Sequence, residues 1–142
     1  MRLPSMRRQV GVSLIEALLA AVLLAIGLLG TIGLQARAYS ALSDAGLRAE
    51  ATIAADKLIG VMSTDSGHLE NYALAAGEEP GERLEAWYDE TRARIPGAAI
   101  TVAVEEGAAP APSEVVIEIR WQRKADAPRS KHVVRSYIAG AM

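Results

Sequence analysis

The sequence predicts an α+β fold: a long N-terminal helix, membrane-spanning in its first half and amphipathic in its second, packed on a small antiparallel sheet of about three to four strands. Three observations predict it. The stretch Ala17 to Ala36 contains no charged residue. Apolar residues recur at helical spacing as far as Met62. Beyond Pro96-Gly97 the period changes to two, the alternation of half-buried strands.

The first element sets the topology. The uncharged run is 20 residues long; at about 1.5 Å per helical residue it reaches roughly 30 Å, the thickness of a bilayer's hydrocarbon core. Arg2, Arg7 and Arg8 precede it without an acid, while the next charge after it is Arg37. The positive-inside bias therefore leaves the short N-terminus in the cytoplasm and sends the body outward. That body, residues 12–142, holds 12 basic against 17 acidic residues, a net charge of −5. Such a charge repels phosphate, and no nucleic-acid partner is expected. With no cysteine in the chain, disulfides, thiolate metal sites and cysteine nucleophiles are excluded.

Two simple readings of the N-terminus compete. A secretory signal peptide has a basic start, an apolar region and a small-residue site such as Ala36-Arg37-Ala38, but its apolar region spans about 7–15 residues and does not begin with a carboxylate such as Glu16. A plain, uncut signal anchor also leaves Glu16 unexplained. A carboxylate at a spanning segment costs about 2–3 kcal/mol on insertion scales, which points to a partner charge.

Gly11-Val12-Ser13-Leu14-Ile15-Glu16, followed by Ala17-Leu18-Leu19-Ala20, resembles the type IV prepilin signature. In that family a glycine precedes the cleavage site and a glutamate lies four residues beyond the new N-terminus. Val12 stands where the family usually has phenylalanine. The resemblance implies cleavage between Gly11 and Val12 by a prepilin peptidase, N-methylation of Val12, and a role for Glu16 in assembly, where it meets the N-terminal amine of a neighbouring subunit. Val12 and Glu16 share one helix face at i, i+4, and such a charge pair in a low-dielectric bundle sets axial register more than it stabilises. Ile26-Gly27-Leu28-Leu29-Gly30-Thr31-Ile32-Gly33-Leu34-Gln35 is similar to the corresponding run of PilV-type minor pilins. Each of Gly27, Gly30 and Gly33 weakens a helix by about 1 kcal/mol unless close backbone approach or bending compensates.

The domain organisation follows: 1–11 as cleaved leader, 12–36 as the transmembrane or filament-core half of the helix, and 37–142 as a periplasmic head. The long helix is expected from Ser13 to Met62, with Leu47, Ala51, Ala54, Leu58 and Val61 facing a core. The turn formers Ser63-Thr64-Asp65-Ser66-Gly67 should end it and open a loop. A short helix is expected over 82–94, with Leu84, Trp87 and Tyr88 on its core face, and strands over about 99–105, 114–122 and 131–138. The resemblance implies the pilin lollipop, with the second half of the helix covering the sheet.

No catalytic pattern accompanies this frame. His68 and His132 have no metal-ligand partner at a recognisable spacing, and no nucleophile elbow or phosphate-binding glycine loop occurs. Neither a metal nor a cofactor is expected. Glu78-Glu79, Asp89-Glu90 and Glu105-Glu106 read as solvated surface. The bases Arg120, Arg123, Lys124, Arg129 and Lys131 read as an edge that discourages aggregation or a patch that meets an acidic partner pilin.

The function implied is that of a minor pilin, not an enzyme, taking part in priming and modification of pilus assembly and placed at the tip. Its expected partners are the prepilin peptidase, other minor pilins, the major pilin, inner-membrane assembly proteins and a tip adhesin. Its expected location is the inner membrane, single-pass, and then the pilus surface. A minor pseudopilin of type II secretion shares the same N-terminal logic. From another class, a signal-anchored periplasmic binding domain or enzyme remains an alternative.

Overall fold

The computed structural model describes residues 12–108, 111–123, 125 and 128–139. The first element is the helix α1, Val12–Thr64. It runs two residues past the expected end because the hydroxyls that should stop it turn back on it. Ser63 Oγ donates to the Ile59 carbonyl at 2.7 Å and Thr64 Oγ1 to the Val61 carbonyl at 2.8 Å, so neither competes for the next turn. The chain divides after Leu42 into two compact units; the head is described first.

In the head, α1 presents Ala51, Ala54, Ala55, Leu58 and Met62 to the core, all buried. Val61, expected on this face, is 42% exposed, and Met62 is buried in its place. The stripe steps by four from Leu58, which carries it past Val61. After α1 comes a 3-10 segment, Ser66–Tyr72, where a plain loop was expected. Its Leu69 and Tyr72 are buried, as is Leu74 just beyond. These three close one end of the core.

The helix α2, Glu82–Arg94, matches its expected bounds. Its start is capped by backbone alone, the Gly81 carbonyl accepting from the N–H groups of Leu84 and Glu85 at 2.9 Å each. Glu82 and Glu85 lie in its first turn and Arg92 and Arg94 in its last, signs that complement the helix dipole. Leu84, Trp87, Thr91 and Ile95 are buried, whereas Tyr88 is only partly so. Gly97 then turns the chain at φ +73°, a left-handed conformation that favours glycine.

Three strands follow, β1 (Ala99–Glu105), β2 (Ser113–Trp121) and β3 (Ser130–Ile138), each within one residue of expectation. They form one antiparallel sheet in the order β1-β2-β3, with Val102 opposite Ile117 and Ile117 opposite Val134. Leu74 adds a single bridge on the far side of β1: its N–H donates to the Val102 carbonyl at 2.8 Å and its carbonyl accepts from the Val102 N–H at 2.9 Å. The inner face carries Ile100, Val102, Val115, Ile117, Ile119 and Trp121, in one cluster with the α1 and α2 residues. Each aliphatic side chain fully buried there contributes about 1.5–3 kcal/mol, which the short strands alone could not supply.

Candidate functional site

The unit that ends at Leu42 contains the helical residues to which the sequence assigns function. From Ser13 to Tyr39 every side chain described is exposed. Leu14, Leu23 and Leu29 leave 72, 70 and 70% of their surface uncovered. By length and composition, α1 is long and apolar enough to cross a membrane. An apolar stripe meant for a soluble core occupies one face of a helix; here the apolar surface runs all the way round, which is the pattern of a helix surrounded by lipid or by other helices.

Gly11 and the leader lie outside the described residues, and Val12 is the first residue of α1. Glu16 lies one turn further on, at i, i+4, and on the face that carries Leu19, Ala20 and Leu23. It is exposed and makes no ion pair among the described residues. Gly27, Gly30 and Gly33 lie in the middle of the run, and a Cβ added at any of them would meet nothing within 4 Å. Nothing among the described residues therefore offsets their cost in helix stability. Thr31, between them, satisfies its hydroxyl internally, on the carbonyls of Leu28 at 2.8 Å and Gly27 at 3.3 Å. It adds no unmet polar group to the apolar segment.

In the head, titratable groups are paired with one another. Asp65 is the most connected: Tyr72 Oη donates to it at 2.9 Å, His68 Nδ1 lies 2.8 Å away, and the Arg83 guanidinium pairs with it. The bond from His68, then that from Tyr72 and the charge of Arg83, holds its carboxyl below the ordinary value. Lys57 with Glu90, Arg120 with Glu118 and Arg135 with Glu114 are surface pairs, each worth little on its own. Of the bases expected to form a patch, Arg120 is thus occupied, Lys131 stands 4.0 Å from Glu118, and Lys124 is outside the described residues. Glu78, Glu79, Asp89, Glu105 and Glu106 are exposed. Among the described residues no group of three His, Asp or Glu side chains could hold a metal ion.

Comparison with protein-family models, with curated proteins and with solved structures finds no match. The functional reading therefore rests on the residues of this chain.

Proposed function

We propose that this chain is a minor pilin of the type IV pilus class, PilV-like, with the pilin architecture of a long helix and a small α+β head. The observation that carries the reading is the combination, on one helix, of an uncovered apolar stretch from Ala17 to Ala36 and a single carboxylate, Glu16, at i, i+4 from Val12. An isolated carboxylate at that depth is costly. A cationic amine created at Val12 by cleavage after Gly11 would neutralise it. Gly27, Gly30 and Gly33, where an added Cβ would meet nothing among the described residues, suit close approach by neighbouring helices in a filament.

In this reading the subunit waits in the inner membrane with its head in the periplasm. It is trimmed by a prepilin peptidase, and joins other minor pilins and the major pilin through inner-membrane assembly proteins to prime and modify the filament, where it sits near the tip with an adhesin. Intact-mass measurement of the membrane-extracted protein tests the first step. Loss of Met1 to Gly11 is expected; a chain that keeps its arginine-bearing leader, or one cut at Ala38, sinks the proposal. The second step is tested with Glu16→Ala, which should still be trimmed but fail to enter filaments. Copurification with pilus rather than type II secretion components separates the two filament systems.

A further inference from the structure

At the edge of β1 a cleft of about 240 Å³ opens between the sheet and α2, bordered by Gly77, Glu78, Tyr88, Arg92, Ile100 and Arg120. Its backbone wall is an unfinished ladder. Val102 exchanges both its N–H and its C=O with Leu74 on the side away from β2. Backbone groups alternate sides along a strand, so those of Ile100, two residues earlier, point the same way. Ala76, the residue that would continue the pairing from Leu74, borders the cleft but makes no backbone bond to Ile100. Glu78 N–H donates to the Ala75 carbonyl at 3.3 Å, and Gly77 at φ +83° turns the chain off. On the other side the Ala98 N–H is already bonded to the Ile95 carbonyl. Among the described residues Ile100 is left with a backbone donor and an acceptor, on the side away from β2, that no partner meets.

The side-chain wall holds two guanidinium groups and one carboxylate. The Arg92 guanidinium lies 5.5 Å from the centre of the Tyr88 ring, with Nη1 3.5 Å from the Tyr88 hydroxyl, and has no carboxylate partner among the described residues. Arg120 is paired with Glu118. Glu78, the one acid on the rim, accepts from the Ala75 N–H at 3.2 Å. The cleft is smaller than the roughly 300–1,000 Å³ of drug-sized sites and suits one or two residues of a peptide.

We propose that this cleft docks an extended, carboxylate-bearing segment of another protein. One residue of that segment pairs with the Ile100 backbone, continuing the ladder that Leu74 starts, and its acidic neighbour bonds to Arg92 over Tyr88. Main-chain bonds supply attachment and the guanidinium supplies selectivity, the division of labour found where a strand is added to a sheet edge. The inference does not depend on the filament reading, because it concerns the isolated head surface.

The test uses the full chain, ¹⁵N-labelled in detergent micelles, titrated with the blocked peptide acetyl-Val-Asp-Val-Asp-Val-amide. A saturable shift of the Ile100 amide is expected. Its half-saturating concentration should rise about fivefold or more when Asn replaces Asp in the peptide, or when Arg92→Gln is made in the protein. Arg94→Gln, whose guanidinium pairs with Glu50 and Glu90 instead, should leave the titration unchanged. No saturable shift at Ile100 below about 10 mM peptide, or equal response to the Asp and Asn peptides, overturns the proposal. Broadening of the same amides with protein concentration alone would assign the cleft to a second copy and overturn it as well.

Discussion

Trp87 reaches from α2 to donate its indole N–H to the Ala54 carbonyl of α1 across 2.8 Å, inside the core. The other tryptophan, Trp121, is 3% exposed, and its Nε1 is buried without an acceptor among the described residues. Trp87→Phe should therefore destabilise the head by about 1–2 kcal/mol more than Trp121→Phe does. The first change removes a made bond, and the second removes a donor that is already unsatisfied. Urea unfolding followed by fluorescence of the remaining tryptophan measures the difference, and equal losses would show that Trp121 finds a partner in solution.

Acid should weaken the head partly through Asp65. Its folded-state pKa lies below the ordinary 3.8, chiefly through the bond with His68 and then that with Tyr72. A depressed carboxylate contributes stability that is fully present above its unfolded pKa and is lost as pH falls through the folded one. Asp44, Glu90 and Glu118 are lowered as well, so the wild type declines on the acid side below about pH 4–5. Asp65→Asn should be less stable than wild type at neutral pH and show a shallower decline towards pH 2. Thermal melts across that range decide it, and parallel curves would remove Asp65 from the account.

Two glycines of the head should respond in opposite directions to alanine. Gly60 lies in α1, where an added Cβ meets nothing within 4 Å, so Gly60→Ala should stabilise by about 0.5–1 kcal/mol. At Gly107 a Cβ would stand 2.3 Å from the Pro112 carbonyl oxygen. Gly107→Ala should cost about 1–3 kcal/mol by forcing the β1–β2 connection apart. Denaturant midpoints of the two variants give the signs directly.

In the apolar half of α1, Gly30→Ala should raise the helix content of the isolated protein slightly while lowering its incorporation into filaments. Circular dichroism in micelles and sheared-filament yields read the two effects separately. Unchanged yield would mean that no neighbour uses the space Gly30 leaves open.

Where one physical rule governed a segment, the residues announced their place. Ile100 and Val102, and then Val115, Ile117, Ile119 and Trp121, alternate without interruption, and all are buried on one face. The uncharged helical run needed only length and composition. The 3-10 segment was illegible because Ser66, Gly67 and Asn71 are turn formers, while Leu69, Tyr72 and Leu74 follow no helical or strand period. Their burial is decided by the end of the core they cover. Val61 was misplaced by one position, the core place going to Met62, since a stripe with both three- and four-residue steps leaves the last turn ambiguous. The cleft beside Ile100 was invisible for a different reason: it is made by backbone groups of β1 and a turn that departs, and side-chain pattern encodes neither. Glu16 and the glycines are the reverse case. Their sequence pattern is what singles them out, and among the described residues they touch nothing that explains them.

Every fully buried side chain of the head comes at or after Ala51, whereas the uncharged stretch ends at Ala36. The residues that hold the head together and the apolar residues left uncovered are thus written in separate paragraphs of the same text. Substitutions in one paragraph leave the other legible. The uncovered half of α1 can therefore be rewritten without the head relearning how it holds itself together.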